Sequence, residues 1–272
     1  MLLAASMLAA SLLAACDNTI EPIVDGETYF VINGFLDANA DTQFVRVSAA
    51  LGDINDQTGR TEADVRTTGP QGETVWRDSL VVLDDGSAGT LFWAPFRPEA
   101  GSTYRLEVSG SAGASVAETT LPTQPPIGAE PPDSLEFINW VQDVYLEGIE
   151  RLPAEAVVTY RTALVRQRDT TRFEDVLRYA GGTLDAGRWS LRIRLSSDLF
   201  RDRGQGTYLF EEAQLSVRLV SSDWNLNADR LNNVENGVGF LGSAATFTQT
   251  WRIPTDMLNT LGYLDEQPQE DD

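Results

Sequence analysis

The sequence predicts an all-β fold: an N-terminal immunoglobulin-like β-sandwich over residues 28–121, then a second β-rich domain over 135–264 with one or two short helices. Three observations predict it. Short segments before residue 122 alternate apolar and polar residues and are separated by turn residues. Trp189, Leu191, Ile193 and Leu195 alternate with Ser190, Arg192 and Arg194, the period of a half-buried strand. Between these regions, five prolines from Pro122 to Pro132 rule out a helix or a sheet interior and mark a linker, residues 122–134.

Taken in order, Tyr29 to Leu36 and Gln43 to Ala49 read as strands joined by the turn Asp37-Ala-Asn-Ala-Asp41. Gly52 to Thr61 is a polar loop. Ala63 to Thr67 and Thr74 to Val82 flank a Gly69-Pro70 turn, and Asp85-Gly86 is a strong turn pair before Thr90 to Phe96. In Thr103 to Ser109, Tyr104, Leu106 and Val108 share one face, and Val116 to Leu121 completes the series. Ala100 to Val108 looks like a late strand of an immunoglobulin-like domain. Past the linker, Leu135 to Ile149 has a weak helical face interrupted by Gly148 and reads as strand. Val157 to Val165, Leu215 to Leu219 and Thr246 to Ile253 are further strands. Ser222 is placed to cap a short helix through Leu231, and a last helical turn spans Asp256 to Leu264. Residues 265–272 read as an acidic, disordered tail.

The N-terminus carries its own signal. Leu2 to Ala15 is apolar or small throughout and ends at Cys16, the sole cysteine. A spanning helix needs about 20 apolar residues; this shorter run fits a signal-peptide core with a small-residue cleavage site. Leu13-Ala14-Ala15-Cys16 resembles a bacterial lipobox, although no Arg or Lys precedes the run. Residues 1–15 are therefore expected to be a signal peptide, Cys16 the lipidated residue and residues 16–27 an extended tether to a membrane.

Composition excludes several chemistries. With no histidine and no second cysteine, Ser-His and Cys-His nucleophiles, His-ligated metals and disulfides are impossible. All 20 basic residues are Arg, so Schiff-base lysines are excluded too. A formal charge of −21 argues against nucleic acid and is the balance of a salt-adapted protein. No catalytic residue, metal site or cofactor is expected.

Several motifs have competing explanations. Gly237-Val-Gly239-Phe-Leu-Gly242 matches the dinucleotide pattern letter by letter. It lacks the following helix that such a site needs. Asn232 to Gly242 is instead expected to be a tight structural loop, turning at Asn236-Gly237, with Phe240 and Leu241 packed on apolar neighbours. Asp37, Asn39, Asp41 and Gln43 alternate as calcium ligands do, but the glycine and glutamate of a calcium loop are missing. Trp189 and Trp251 fall on apolar strand faces; Trp76, Trp93, Trp140 and Trp224 are left open, so a glycan platform stays an alternative. Residues 151–203 hold 11 of the 20 arginines, which implies paired arginines on wet strand faces or a surface for an acidic partner.

Four segments carry a family resemblance: Val31-Ile-Asn-Gly34; Gly101-Ser-Thr-Tyr104 leading to Glu118-Thr-Thr-Leu-Pro122; Ser216 to Trp224; and Asn233 to Gly242. Together they resemble the Bacteroidota lipoproteins grouped as domain of unknown function 4249. The resemblance implies a lipoprotein at the outer membrane, on its periplasmic or outer face. It also implies a non-catalytic binding or accessory module beside a TonB-dependent transporter. A surface glycan-binding or glycan-processing protein is the alternative.

Overall fold

A computed structural model describes residues 29–50, 60–82, 88–111, 113–135, 139–167, 169–199, 206–223 and 232–268. Cys16 with the expected signal peptide and tether, Asp85-Gly86, Trp224 and most of the segment expected to be a Ser222–Leu231 helix lie outside those residues.

The fold is an all-β sandwich built from three described sheets. The longest runs β13 (Asp169–Tyr179), β12 (Glu155–Arg166), β16 (Thr207–Val220), β18 (Gly237–Trp251), β1 (Phe30–Asp37), β2 (Gln43–Ala49), β6 (Ala88–Ala94) and β5 (Arg77–Val82), with β19 (Tyr263–Asp265) joining β16 in parallel. A second sheet orders β17 (Val234–Glu235), β8 (Gly113–Thr120), β7 (Thr103–Gly110), β3 (Asp64–Gly69) and β4 (Gly72–Val75). The third orders β10 (Asp133–Leu135), β11 (Asn139–Glu147), β15 (Arg188–Ile193) and β14 (Thr183–Asp185), with β9 (Ile127–Ala129) on β11.

Two apolar cores follow from the alternation. Ile32, Leu36, Val47 and Phe92 of the long sheet meet Val65, Leu106 and Val108 of the second. Farther along the same long sheet, Val158, Leu215 and Val217 meet Leu146, Trp189 and Ile193 of the third. Each such side chain contributes about 1.5–3 kcal/mol on burial. Tyr104 anchors the first core, and its hydroxyl accepts a hydrogen bond from the Glu99 backbone N–H at 2.9 Å, the arrangement of a tyrosine corner.

Strand β18 belongs to both cores. Its first half pairs in parallel with β1, from Phe30↔Gly237 to Asp37↔Ala244, and its second half pairs antiparallel with β16, from Val220↔Ala244 to Ala213↔Trp251. Val234 of β17 and Leu241 of β18 are buried in the first core although they follow it by more than a hundred residues. The expected loop at Asn232–Gly242 is corrected accordingly. Asn236 turns the chain with φ 52°, and from Gly237 onward the segment is strand, because β1 supplies a hydrogen-bonding partner there.

Other differences have local causes. The strand expected from Thr74 to Val82 breaks at Trp76, whose indole N–H turns inward to donate to the Thr67 hydroxyl at 2.7 Å. Ile127–Ala129 in the proline-rich stretch pairs with β11 as an edge strand, where prolines are tolerated. Leu135 to Ile149 is mostly strand, as β10 and β11. Leu195 leaves β15 and opens the four-residue helix Leu195–Asp198. A second helix, Thr255–Leu261, ends at Gly262 with φ 87°.

The first residues of the acidic tail are packed. Gln267 is buried, accepts from the Ile253 N–H at 2.9 Å and donates to the Ile253 carbonyl at 2.7 Å. Burial acts to raise the Asp265 pKa. Hydrogen bonds from Thr255 and Gln267, together with the Arg252 charge, outweigh it and hold the carboxyl down to about 2. A depressed native pKa stabilises above the unfolded value near 3.9 and loses that contribution as pH falls toward 2. Asp265→Asn should therefore cost about 2 kcal/mol at pH 6, with the gap to wild type closing near pH 2 in urea titrations. A gap of equal size at both pH values would contradict this account.

Candidate interaction surface

The outward face of the long sheet differs between its two halves. On β13, β12 and β16 it is a lattice of ion pairs. Arg161 contacts Glu174 at 3.2 Å and Glu212 at 2.5 Å, Arg172 contacts Glu211 at 3.2 Å, and Arg178 contacts Glu155 at 2.9 Å. Most of these side chains are well exposed, so each pair contributes little to stability. Elsewhere, Arg192 binds Asp143 through two hydrogen bonds at 2.9 and 2.7 Å and holds that carboxyl below its usual range. The described arginines of the 151–203 segment named here are thus ion-paired on wet strand faces.

On β18, β1, β2, β6 and β5 the outward face is aromatic. Cross-strand register places Gly242, Phe35, Phe44, Trp93 and Arg77 in one row across five strands. Strands about 4.8 Å apart give that row a length of about 19 Å. At one end Phe240 packs edge-on against Phe35 with ring centroids 5.6 Å apart. Gly242 leaves room for both rings: a methyl there would lie 2.5 Å from Phe240 and 2.7 Å from Phe35. At the other end the Arg77 guanidinium lies 5.3 Å from the Trp93 ring centroid. Phe44, in the middle, is 49% exposed.

The next outward positions are Asn33, Arg46, Leu91 and Ser79. From the row back to Val31 and Val238, no outward position on these strands is Asp or Glu. On the other side of the row, Asp37 lies two residues past Phe35 on the same face of β1, where Arg218 holds its carboxylate at 2.8 Å. Acids outnumber bases 41 to 20 over the chain, so an acid-free face of this extent is distinctive.

The other sequence motifs resolve structurally. The Asp37–Gln43 turn is organised by Gln43, which is buried. Gln43 accepts from the Asp37 N–H at 2.8 Å and donates to the carbonyls of Asp37, Ala40 and Phe96 at 3.1, 2.8 and 3.2 Å. Trp76 and Trp189 are core residues, and Trp140 and Trp251 pack against the second core. Trp93 sits on the outward face instead.

A titratable cluster that sequence reasoning missed joins Tyr160, Tyr179 and Asp198. Both phenols donate to one carboxylate oxygen, Tyr160 at 3.1 Å. Burial raises the Asp198 pKa against the opposing effect of those hydrogen bonds, and burial raises both tyrosines, so the phenols stay protonated donors. The cluster fastens the Leu195–Asp198 helix to β12 and β13. An open groove of about 430 Å³ lies between Leu121–Pro126, Glu147–Leu152 and Leu219–Ser222.

No curated protein matches the sequence. Among solved structures, bovine butyrophilin aligns over 83% of this chain and 99% of its own, at 13% identity and a TM-score of 0.22. A family model described as "Domain of unknown function (DUF4249)" matches residues 17–162, which takes in β1 to β11 and most of β12. That match spans more than half of the chain, and the protein belongs to this family.

Proposed function

We propose that the chain is a non-catalytic docking module, held at the outer membrane by lipid on Cys16 and acting beside a TonB-dependent transporter. The observation that carries this reading is the acid-free aromatic face on β1, β2, β5, β6 and β18. Interface cores are enriched in Phe, Trp and Arg and depleted in Asp and Glu, which is the composition of this face. An exposed Phe44 between Phe35 and Trp93 gains burial when a partner covers it. Four of the tryptophans support packed cores, and the Trp93 ring already carries Arg77, which speaks against sugar stacking.

The test is made in membranes. A photo-crosslinking residue at position 44 should yield an adduct with an integral β-barrel protein of the outer membrane. The same residue at Glu174, on the ion-paired half of the sheet, should not. Cys16→Ala should abolish acyl labelling and the position-44 adduct together. Equal adducts from positions 44 and 174, or acyl labelling that survives in Cys16→Ala, would overturn the proposal.

A further inference from the structure

We infer that the occupant of the aromatic face is an acidic segment of a partner protein, read by Arg46 and Arg77 on either side of an apolar contact at Leu91 and Trp93, with Phe44 flanking it. This inference rests on the docking reading above and adds the chemistry of the partner.

The geometry is specific. Arg46 pairs with Leu91, and Arg77 pairs with Trp93, two residues farther along β6. Two strand spacings and two residues of rise put the two arginine positions about 12 Å apart. Neither arginine has a carboxylate partner among the described residues, whereas Arg161, Arg172, Arg178 and Arg192 each do. The stacking of Arg77 on Trp93 holds its planar fork in place while leaving N–H groups for a carboxylate. Such pre-organisation lowers the ordering cost of a bidentate contact.

Charge also sets where an acidic segment docks. The chain as a whole is strongly acidic and repels such a segment, but beyond about 8 Å that repulsion is screened at physiological salt. At contact distance the local field decides, and among the described residues the outward positions from the row back to Val31 and Val238 present two arginines and no carboxylate. An extended strand with glutamates at positions i and i+4 spaces them by about 13 Å on one side, with position i+2 between them. A leucine at i+2 then falls over Leu91 and Trp93, beside Phe44.

The probe is the peptide acetyl-Gly-Glu-Ser-Leu-Ser-Glu-Gly-amide, titrated into ¹⁵N-labelled mature protein. Shifts are expected at Phe44, Arg46, Leu91 and the Trp93 indole N–H, and a Glu→Gln version of the peptide should bind at least tenfold more weakly. Arg46→Glu with Arg77→Glu should weaken binding at least tenfold with an unchanged melting temperature. If that variant melts early, Arg46→Gln with Arg77→Gln replaces it. Equal binding of the Glu and Gln peptides, shifts mapping to another face, or Trp93 shifts caused by cellohexaose would overturn the inference. Adducts at position 44 in membranes alongside charge-blind peptide binding would leave the docking reading standing and remove the acidic partner.

Discussion

Replacing Gly239 with alanine is expected to destabilise the protein by about 2–6 kcal/mol, a large share of an ordinary folding free energy. Two costs add. Gly239 has φ 116°, a conformation that an L side chain adopts at a cost of about 1–3 kcal/mol. A methyl there would also overlap the carbonyl oxygen of Ile32. That oxygen belongs to the backbone of β1, which is fixed by its pairing with β2 and β18, so relief requires moving a strand. Overpacking of this kind costs about 1–3 kcal/mol more. Gly72→Ala is the control, since Gly72 has φ 97° but a methyl there would meet nothing within 4 Å. Urea denaturation should show Gly72→Ala losing about 1 kcal/mol and Gly239→Ala well beyond it. Equal losses would mean that the contact with Ile32 carries no cost.

The glycines of the 237–242 segment thus serve a strand junction. The letters that match a pyrophosphate-binding turn let β18 come close to β1 and let Phe240 and Phe35 share the space over Gly242. A chain segment that joins residues some two hundred positions apart gives no local signal, because periodicity reports a strand and not its neighbour. That is why β18 was legible from Thr246 to Ile253, where alternation is clean, and its first half read as a loop.

The same limit applies to the aromatic row. Phe35, Phe44, Trp93 and Phe240 lie in four strands, and each taken alone is a residue expected in a core. In β2 the alternation is inverted from its usual sense. Polar Gln43 is buried with Val45 and Val47, leaving Phe44 outward beside Arg46. Sequence cannot choose the inner face of Gln-Phe-Val-Arg-Val-Ser-Ala, but the hydrogen bonds of Gln43 do. Strand β13 went unread for another reason. Arg172, Glu174, Asp175 and Arg178 break its apolar pattern, and as an edge strand it buries too little to need one.

Phe240→Ala and Phe44→Ala should separate the structural from the docking role of the aromatic row. Phe240 is 7% exposed and packs edge-on against Phe35, so its truncation removes a buried ring and opens a cavity between β1 and β18. Such deletions cost about 3–5 kcal/mol, which lowers the melting temperature by about 10 °C in a protein of this size. Phe44, at 49% exposure, has roughly half of its ring in water already, and its loss should cost under about 1 kcal/mol. The docking phenotypes should run the other way. Phe44→Ala should lose the membrane crosslink made from a probe at nearby Ser79, while Phe240→Ala, assayed below its melting temperature, should keep it. Acylation at the proposed site Cys16 should be unchanged in both, because that position precedes β1 in the chain. A Phe240→Ala protein that melts with wild type yet loses the crosslink would move the contact from the centre of the row to its β18 end. The acidic partner would then have to be sought at Val238 and Phe240.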